Sequence, residues 1–181
     1  FGSCVNCYWA VLYHETITVN KVQVKGEKEM DERFIVRKAN ENDIPKLQNM
    51  IKGLAEYEKR PQDMTASRED LCYWIFEKKV ATALIAEYND ETIGYAIYYP
   101  IFGSFAAAAG VHLEDLFLNK KYRNCGLGSK FFSKIEEFVK QDGYLKMEWS
   151  CLEWNTPSIH FYNKIGAEQE QGRKYFSYIC K

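Results

Sequence analysis

The chain has 181 residues, of which 46% are apolar and 27% charged, and its formal net charge is −1. That length suits one domain with room for a tail. The near-neutral balance argues against nucleic acid or an anionic membrane as partner, and no apolar run is long enough to cross a bilayer as a helix.

Residues 1–29 begin without Met and carry no helical stripe, so they read as a non-native or disordered tail, with the folded domain over residues 30–181. Residues 34–38 form a short strand. Asn40 or Asn42 caps a helix that has Pro45 in its first turn and runs to about Glu58. Ile44, Leu47, Ile51, Leu54 and Ala55 share one face of it. Lys59, Arg60, Pro61 and Gln62 break the pattern. Thr65 or Ser67 then starts a second helix over residues 68–76. Residues 82–88 and 92–99 form a hairpin across Asn89-Asp90.

Residues 100–110 read as a loop holding the small-residue run Ala106, Ala107, Ala108 and Ala109. Residues 111–118 are a strand. Leu127, Phe131, Ile135, Phe138 and Val139 mark an amphipathic helix that ends near Asp142-Gly143. Residues 146–152 are the next strand. Asn155-Thr156-Pro157 opens a short helix with Ile159, Tyr162 and Ile165 on one side, and Gly166 closes it. Residues 175–179 are a last strand. An early hairpin followed by strand–helix alternation predicts a mixed α/β sheet.

The turn Arg123-x-x-Gly126-x-Gly128 lies between a strand and a helix. A helix start offers backbone N–H groups and partial positive charge to an anion, and glycine lets the backbone come close. The spacing fits neither the Gly-x-Gly-x-x-Gly dinucleotide fingerprint nor the P-loop. Glu114-Asp115 interrupts an apolar strand. Adjacent strand residues face opposite sides, so at most one of these acids looks to an ordinary open face if both sides are covered. Asn155 caps the later helix, and Tyr162 on that helix's apolar side reads first as core.

His14, His112 and His160 share no motif and no Ser-centred elbow, which argues against a nucleophile triad. Six cysteines are present. Cys4-x-x-Cys7 has no second pair to complete a zinc pattern, so no metal is expected. The scattered remainder suits a reduced, cytoplasmic protein.

Taken in order, Glu114-Asp115-Leu116, Arg123-x-x-Gly126-x-Gly128, Trp154-Asn155-x-Pro157-Ser158 and Phe161-Tyr162-x-Lys164-x-Gly166-Ala167 resemble the motifs of the GNAT acyltransferase superfamily. The family within it that they resemble is that of the diamine (spermidine/spermine) and thialysine acetyltransferases, whose first-helix end Leu54-Ala55-Glu56-Tyr57-Glu58 also resembles. The likeness runs from Phe34 to the C-terminus. It implies a GNAT-like α/β fold: a mixed, mostly antiparallel twisted sheet flanked by helices, with acetyl-CoA at a strand splay.

The resemblance also implies roles. Leu116, Phe117 and Leu118 would pair with the pantetheine arm. Arg123, Asn124, Cys125, Gly126, Leu127, Gly128 and Ser129 would hold the pyrophosphate. Asn155, Thr156, Pro157 and Ser158 would flank the cofactor, with Lys164 near its phosphates. Tyr162 would be the catalytic acid. Tyr57, Glu58, Glu114, Asp115, Glu148, Trp149 and Ser150 would border a small-molecule amine, with Glu114 or Asp115 relaying its proton.

A homodimer is implied as well. The acceptor stays open between a small polyamine- or thialysine-like amine and a protein or peptide amine, and a non-catalytic acetyl-CoA-binding module is the rival outside enzymes. Two positions depart from the family pattern. Asn124 stands where many members have Gly, and Ala106, Ala107, Ala108 and Ala109 replace the aromatic and acidic residues of polyamine enzymes.

The chemistry needs these residue types. An alkyl amine has a pKa of about 10.4, so only roughly one molecule in a thousand is neutral at pH 7. A carboxylate can attract the cation and take its proton. The thiol that leaves has a pKa of about 8.5, and a tyrosine at about 10 can protonate it.

Overall fold

The computed structural model describes residues 33–172, 174 and 176–180. The expected tail, Cys4-x-x-Cys7, His14 and Tyr175 lie outside the described residues. The chain divides into two compact units, Phe1–Glu148 and Trp149–Lys181.

The first unit is built on a five-stranded sheet in the order β1-β2-β3-β4-β5: β1 Phe34–Lys38, β2 Thr82–Tyr88, β3 Glu91–Gly103, β4 Ala108–Leu118 and β5 Met147–Glu148. All neighbours are antiparallel except β4 and β5, which run parallel. Asn89 (φ 51°) and Asp90 (φ 62°) join β2 to β3. A two-residue turn with both φ positive matches the twist of a hairpin, and Asn and Asp tolerate that geometry.

Helix α1, Ile44–Tyr57, follows a single 3-10 turn that Asn40 caps, with reciprocal bonds to and from Asp43. The buried Asp43 also takes two bonds from Arg37, at 2.7 and 2.9 Å, which tie the helix start to β1. Helix α2, Arg68–Cys72, starts in a capping box at Ser67 and runs on into a π-type turn, Tyr73–Glu77. Ile44, Leu47 and Met50 of α1 pack with Ile75 against Ala83, Ile85, Tyr95, Ile97 and Phe117. Alternation then assigns Leu84, Ala96 and Tyr98 to the opposite side of the sheet.

Helix α3, Leu127–Gln141, covers that opposite side. Leu127, Phe131, Ile135 and Val139 recur every four residues and are all buried. Phe131 meets Phe34 edge to face at 6.3 Å. The buried Tyr98 donates to Asp142 at the helix end (2.7 Å), and Lys38 bonds the same carboxylate at 2.7 Å.

The sheet differs from the sequence reading in three places. Residues 100–110 are not a loop, because β3 and β4 stay paired out to Gly103 and Ala108, leaving a turn at 104–107. Pro100 is accommodated because β2 stops opposite Tyr98, so β3 is an edge there and needs no donor on that side. The strand expected over 146–152 is only two residues long. No strand forms over 176–180, where Phe176, Tyr178 and Ile179 are exposed; an apolar, aromatic run takes up β structure only where a partner strand meets it. The second unit contains helix α4, Thr156–Lys164, ending at Gly166 (φ 84°).

Candidate active site

A β-bulge in β4 decides where the two acids point. Ile97 pairs with Asp115 and Tyr98 pairs with Leu113, so Glu114 is the extra residue. Regular alternation would send Glu114 and Asp115 to opposite faces. The inserted residue resets the alternation, and both acids lie on the side that α1 covers. This corrects the expectation that they face apart.

Asp115 is half-buried and accepts a hydrogen bond from the Tyr95 hydroxyl at 3.0 Å. Burial raises its pKa to about 6; the Tyr95 bond opposes that rise, and the charges of Glu114 and Glu58 add to it. Glu58 therefore acts on Asp115 from the C-terminal end of α1. Burial also pushes the Tyr95 hydroxyl well above the usual tyrosine range, and the Asp115 charge pushes it further, so it stays a donor.

Glu114 is exposed and lies beside His112, whose Nε2 is 3.8 Å from a carboxylate oxygen. The His112 ring stacks on Tyr99, with centroids 5.2 Å apart. Burial, the Glu114 charge and a hydrogen bond to Glu114 all raise the Tyr99 pKa, and Glu148 adds a little. Glu148 itself pairs with Lys146 at 2.9 Å. Tyr95 and Tyr99 were given no role in the sequence reading, and His112 was set aside there as part of no motif. Only the pairing register, with Tyr99 opposite His112 and Tyr95 diagonal to Asp115, brings them to the acids.

On its outer side β4 pairs with β5 through Val111 and His112 alone. Among the described residues, no strand continues along that edge past Leu113, so Leu116, Phe117 and Leu118 lie on a strand with an open edge. The Leu118 carbonyl accepts from Arg123 Nε (2.7 Å). The Arg123 guanidinium sits 4.7 Å from the Tyr57 ring centroid and 5.4 Å from that of Phe117. Arg123 thus joins the end of α1 to the end of β4.

The turn that follows is shaped for an anion. Asn124 (φ 62°) and Gly126 (φ 87°) are both left-handed. Asn is one of the few residues other than Gly that accept this conformation. Gly126 precedes α3 with no side-chain cap, and a Cβ built there would meet nothing within 4 Å. The backbone there is bare.

The Lys130 N–H bonds the Gly126 carbonyl at 3.2 Å. The N–H groups of Leu127, Gly128 and Ser129 have no acceptor one turn back, and the helix dipole adds positive character. A bare turn, outward N–H groups and a fifteen-residue helix fit a pyrophosphate. Cys125, also in the turn, donates its thiol to the Tyr122 carbonyl at 3.0 Å.

In the second unit, the buried Asn155 caps α4 by accepting from the Ser158 N–H (3.4 Å), with Thr156 and Pro157 in the first turn. Tyr162 is half-buried, its ring 5.0 Å from that of Trp149 and 5.4 Å from that of Phe161. Ser150 and Lys164 are exposed.

The sequence model of the Acetyltransferase (GNAT) family matches residues 47–167. The chain belongs to the GNAT acetyltransferase family. This GNAT chain is 30% identical over 142 residues to a thialysine N-epsilon-acetyltransferase of Sus scrofa, which covers 74% of the chain and 83% of that relative. It is 28% identical over 156 residues to the spermidine/spermine N(1)-acetyltransferase-like protein 1 of Homo sapiens, covering 80% of the chain and 22% of that longer protein. A solved aminoglycoside acetyltransferase from an uncultured soil metagenomic sample, in complex with sisomicin, shares the fold. Its TM-score is 0.70 at 16% identity, over 84% of this chain and 99% of that one. The five-stranded, mostly antiparallel open sheet with helices on both faces is the GNAT fold.

Proposed function

We propose that this GNAT enzyme moves an acetyl group from acetyl-CoA to a primary amine of a small polyamine- or thialysine-like acceptor, by direct attack with both substrates bound. The observation that carries this reading is the gathering of Glu58, Glu114 and Asp115 at one side of β4, beside an edge that no strand covers among the described residues. A cluster of carboxylates there attracts a cation. The relatives named for thialysine and for spermidine/spermine support a small cationic acceptor.

When bound, acetyl-CoA supplies the acetyl group as an activated thioester. Gly126 and the first N–H groups of α3 hold its pyrophosphate, with Asn124, Cys125 and Ser129 completing the turn. The open edge at Leu116, Phe117 and Leu118 aligns the pantetheine arm, and a backbone N–H there steadies the thioester oxygen. Glu114 takes the proton of the ammonium, and His112 beside it offers the proton a way out to solvent. Tyr162 Oη gives its proton to the departing sulfur. This last role rests on the Phe161-Tyr162 motif. A homodimer belongs to the same reading and rests on the family resemblance; a cytoplasmic location belongs to it too and rests on the scattered single cysteines.

The deciding experiment is a thiol-release assay with acetyl-CoA across polyamines, thialysine, shorter diamines and lysine-containing peptides. Small diamines should show the highest kcat/KM. A peptide that outruns them would move the function to protein acetylation. CoA binding by calorimetry with no thiol release from any amine would leave only a binding module.

A further inference from the structure

Tyr95 lies in the centre of the core that α1 packs on, yet carries a hydroxyl. It is fully buried, and its ring tilts against Phe117 at 5.9 Å. A phenylalanine would fill the same space without bringing a polar group out of water. The hydroxyl has a bond that accounts for it, the one donated to Asp115 Oδ2 at 3.0 Å.

Asp115 is otherwise poorly placed to keep a charge. The groups that face it are Tyr95 from β3, Glu114 from its own strand and Glu58 from the end of α1, so both charged neighbours are acids. A donor held rigidly by the core is the one contact that favours its ionised form.

We propose that Tyr95 is a positioning residue for the amine site, holding the Asp115 carboxylate ionised and oriented toward an incoming ammonium group. The proposal rests on the acceptor reading above and adds a residue to it. The hydroxyl does not touch the amine. It acts through Asp115, and it lets a carboxylate among like charges serve a cationic substrate at neutral pH. Rigid support of this kind sets the orientation of a site carboxylate more tightly than a surface contact does.

Tyr95→Phe tests this, because it keeps the ring and removes only the oxygen. The expected result is an acidic limb of the amine kcat/KM profile that moves up by about one pH unit or more, as a carboxylate losing its donor must. The KM for the amine should rise at pH 6–7, recovering toward pH 8, while affinity for CoA is unchanged. Glu58, Glu114 and His112 also lie at this face, but the Tyr95 hydroxyl bonds Asp115 and not them, so a limb set by any of them would not move. An unmoved limb in folded Tyr95→Phe overturns the proposal.

If Tyr95→Phe does not fold, Asp115→Asn decides: the part of the acidic limb set by Asp115 should vanish, leaving only what Glu114 as base gives, and a limb unchanged from wild type also overturns it. If the wild type acetylates no amine, the acceptor reading fails separately. Carboxyl ¹³C titration of Asp115 in wild type and Tyr95→Phe then still tests the pairing, and equal midpoints would end it.

Discussion

Gly126 and Gly143 make a matched pair at the two ends of α3. Both are left-handed, with φ of 87° and 88°, and a Cβ built on either meets nothing within 4 Å. Alanine at either position therefore suffers no clash and pays only for its conformation, roughly 1–2 kcal/mol for a non-glycine residue held left-handed. For a domain of this size that corresponds to a drop in Tm of about 2–8 °C. The two variants should lose similar stability. They should differ in binding, because only the Gly126 methyl stands where the pyrophosphate must approach the α3 N–H groups. Losing one charge-assisted contact costs about 1.5–3 kcal/mol, and 1.4 kcal/mol is tenfold in affinity, so Gly126→Ala should weaken CoA binding by about tenfold or more. Calorimetry with CoA, beside thermal melts of both variants, measures each quantity separately. Equal CoA affinities in Gly126→Ala and Gly143→Ala would refute the phosphate cradle.

Tyr162→Phe should keep folding and near-normal CoA affinity while turnover falls about 10²-fold, the scale of one general acid; the loss should shrink with a thioester of a better leaving group, and full turnover with chemistry limiting would leave a water as the acid. Glu114→Gln should raise KM for a diamine or lower kcat, read across pH 6–9; unchanged kinetics would remove Glu114 from the site. Asp115→Asn should stabilise the fold more at pH 7 than at pH 4. The folded Asp115 carboxyl has its pKa raised to about 6 from 3.8, so its favourable contribution is complete below about pH 4 and is lost as pH rises through 6. At 1.36 kcal/mol per unit the difference approaches about 2–3 kcal/mol as a ceiling, and urea midpoints at the two pH values that move in parallel would exclude it.

Most of the local architecture was legible in the sequence because local chemistry determines it. Asn40 caps the 3-10 turn that leads into α1, and Ser67 caps α2, as side chains able to accept from a first-turn N–H do. Asn89-Asp90 joins two strands because both residues tolerate positive φ. Leu127, Phe131, Ile135 and Val139 announce the buried stripe of α3 at a spacing of four. The motifs that resemble the GNAT family lie in such local junctions, at helix starts and strand ends, and could be read in order along the chain.

What the sequence by itself determined, then, were the helices, their caps, the first hairpin and the family; the tertiary structure alone decided the faces, lengths and partners of the strands. A strand's hydrogen bonds lie on another segment, so its extent depends on a residue far away in the chain. Residues 100–110 looked like a loop because small residues and a proline carry no strand signal, yet β3 and β4 pair through them. Residues 175–179 looked like a strand, yet the described residues 176–180 form none. Glu114-Asp115 carried the acids in plain view, but not their orientation. One extra residue opposite Ile97 and Tyr98 turns both acids to the α1 face, and only that register sets Tyr95 beneath Asp115 and His112 beside Glu114.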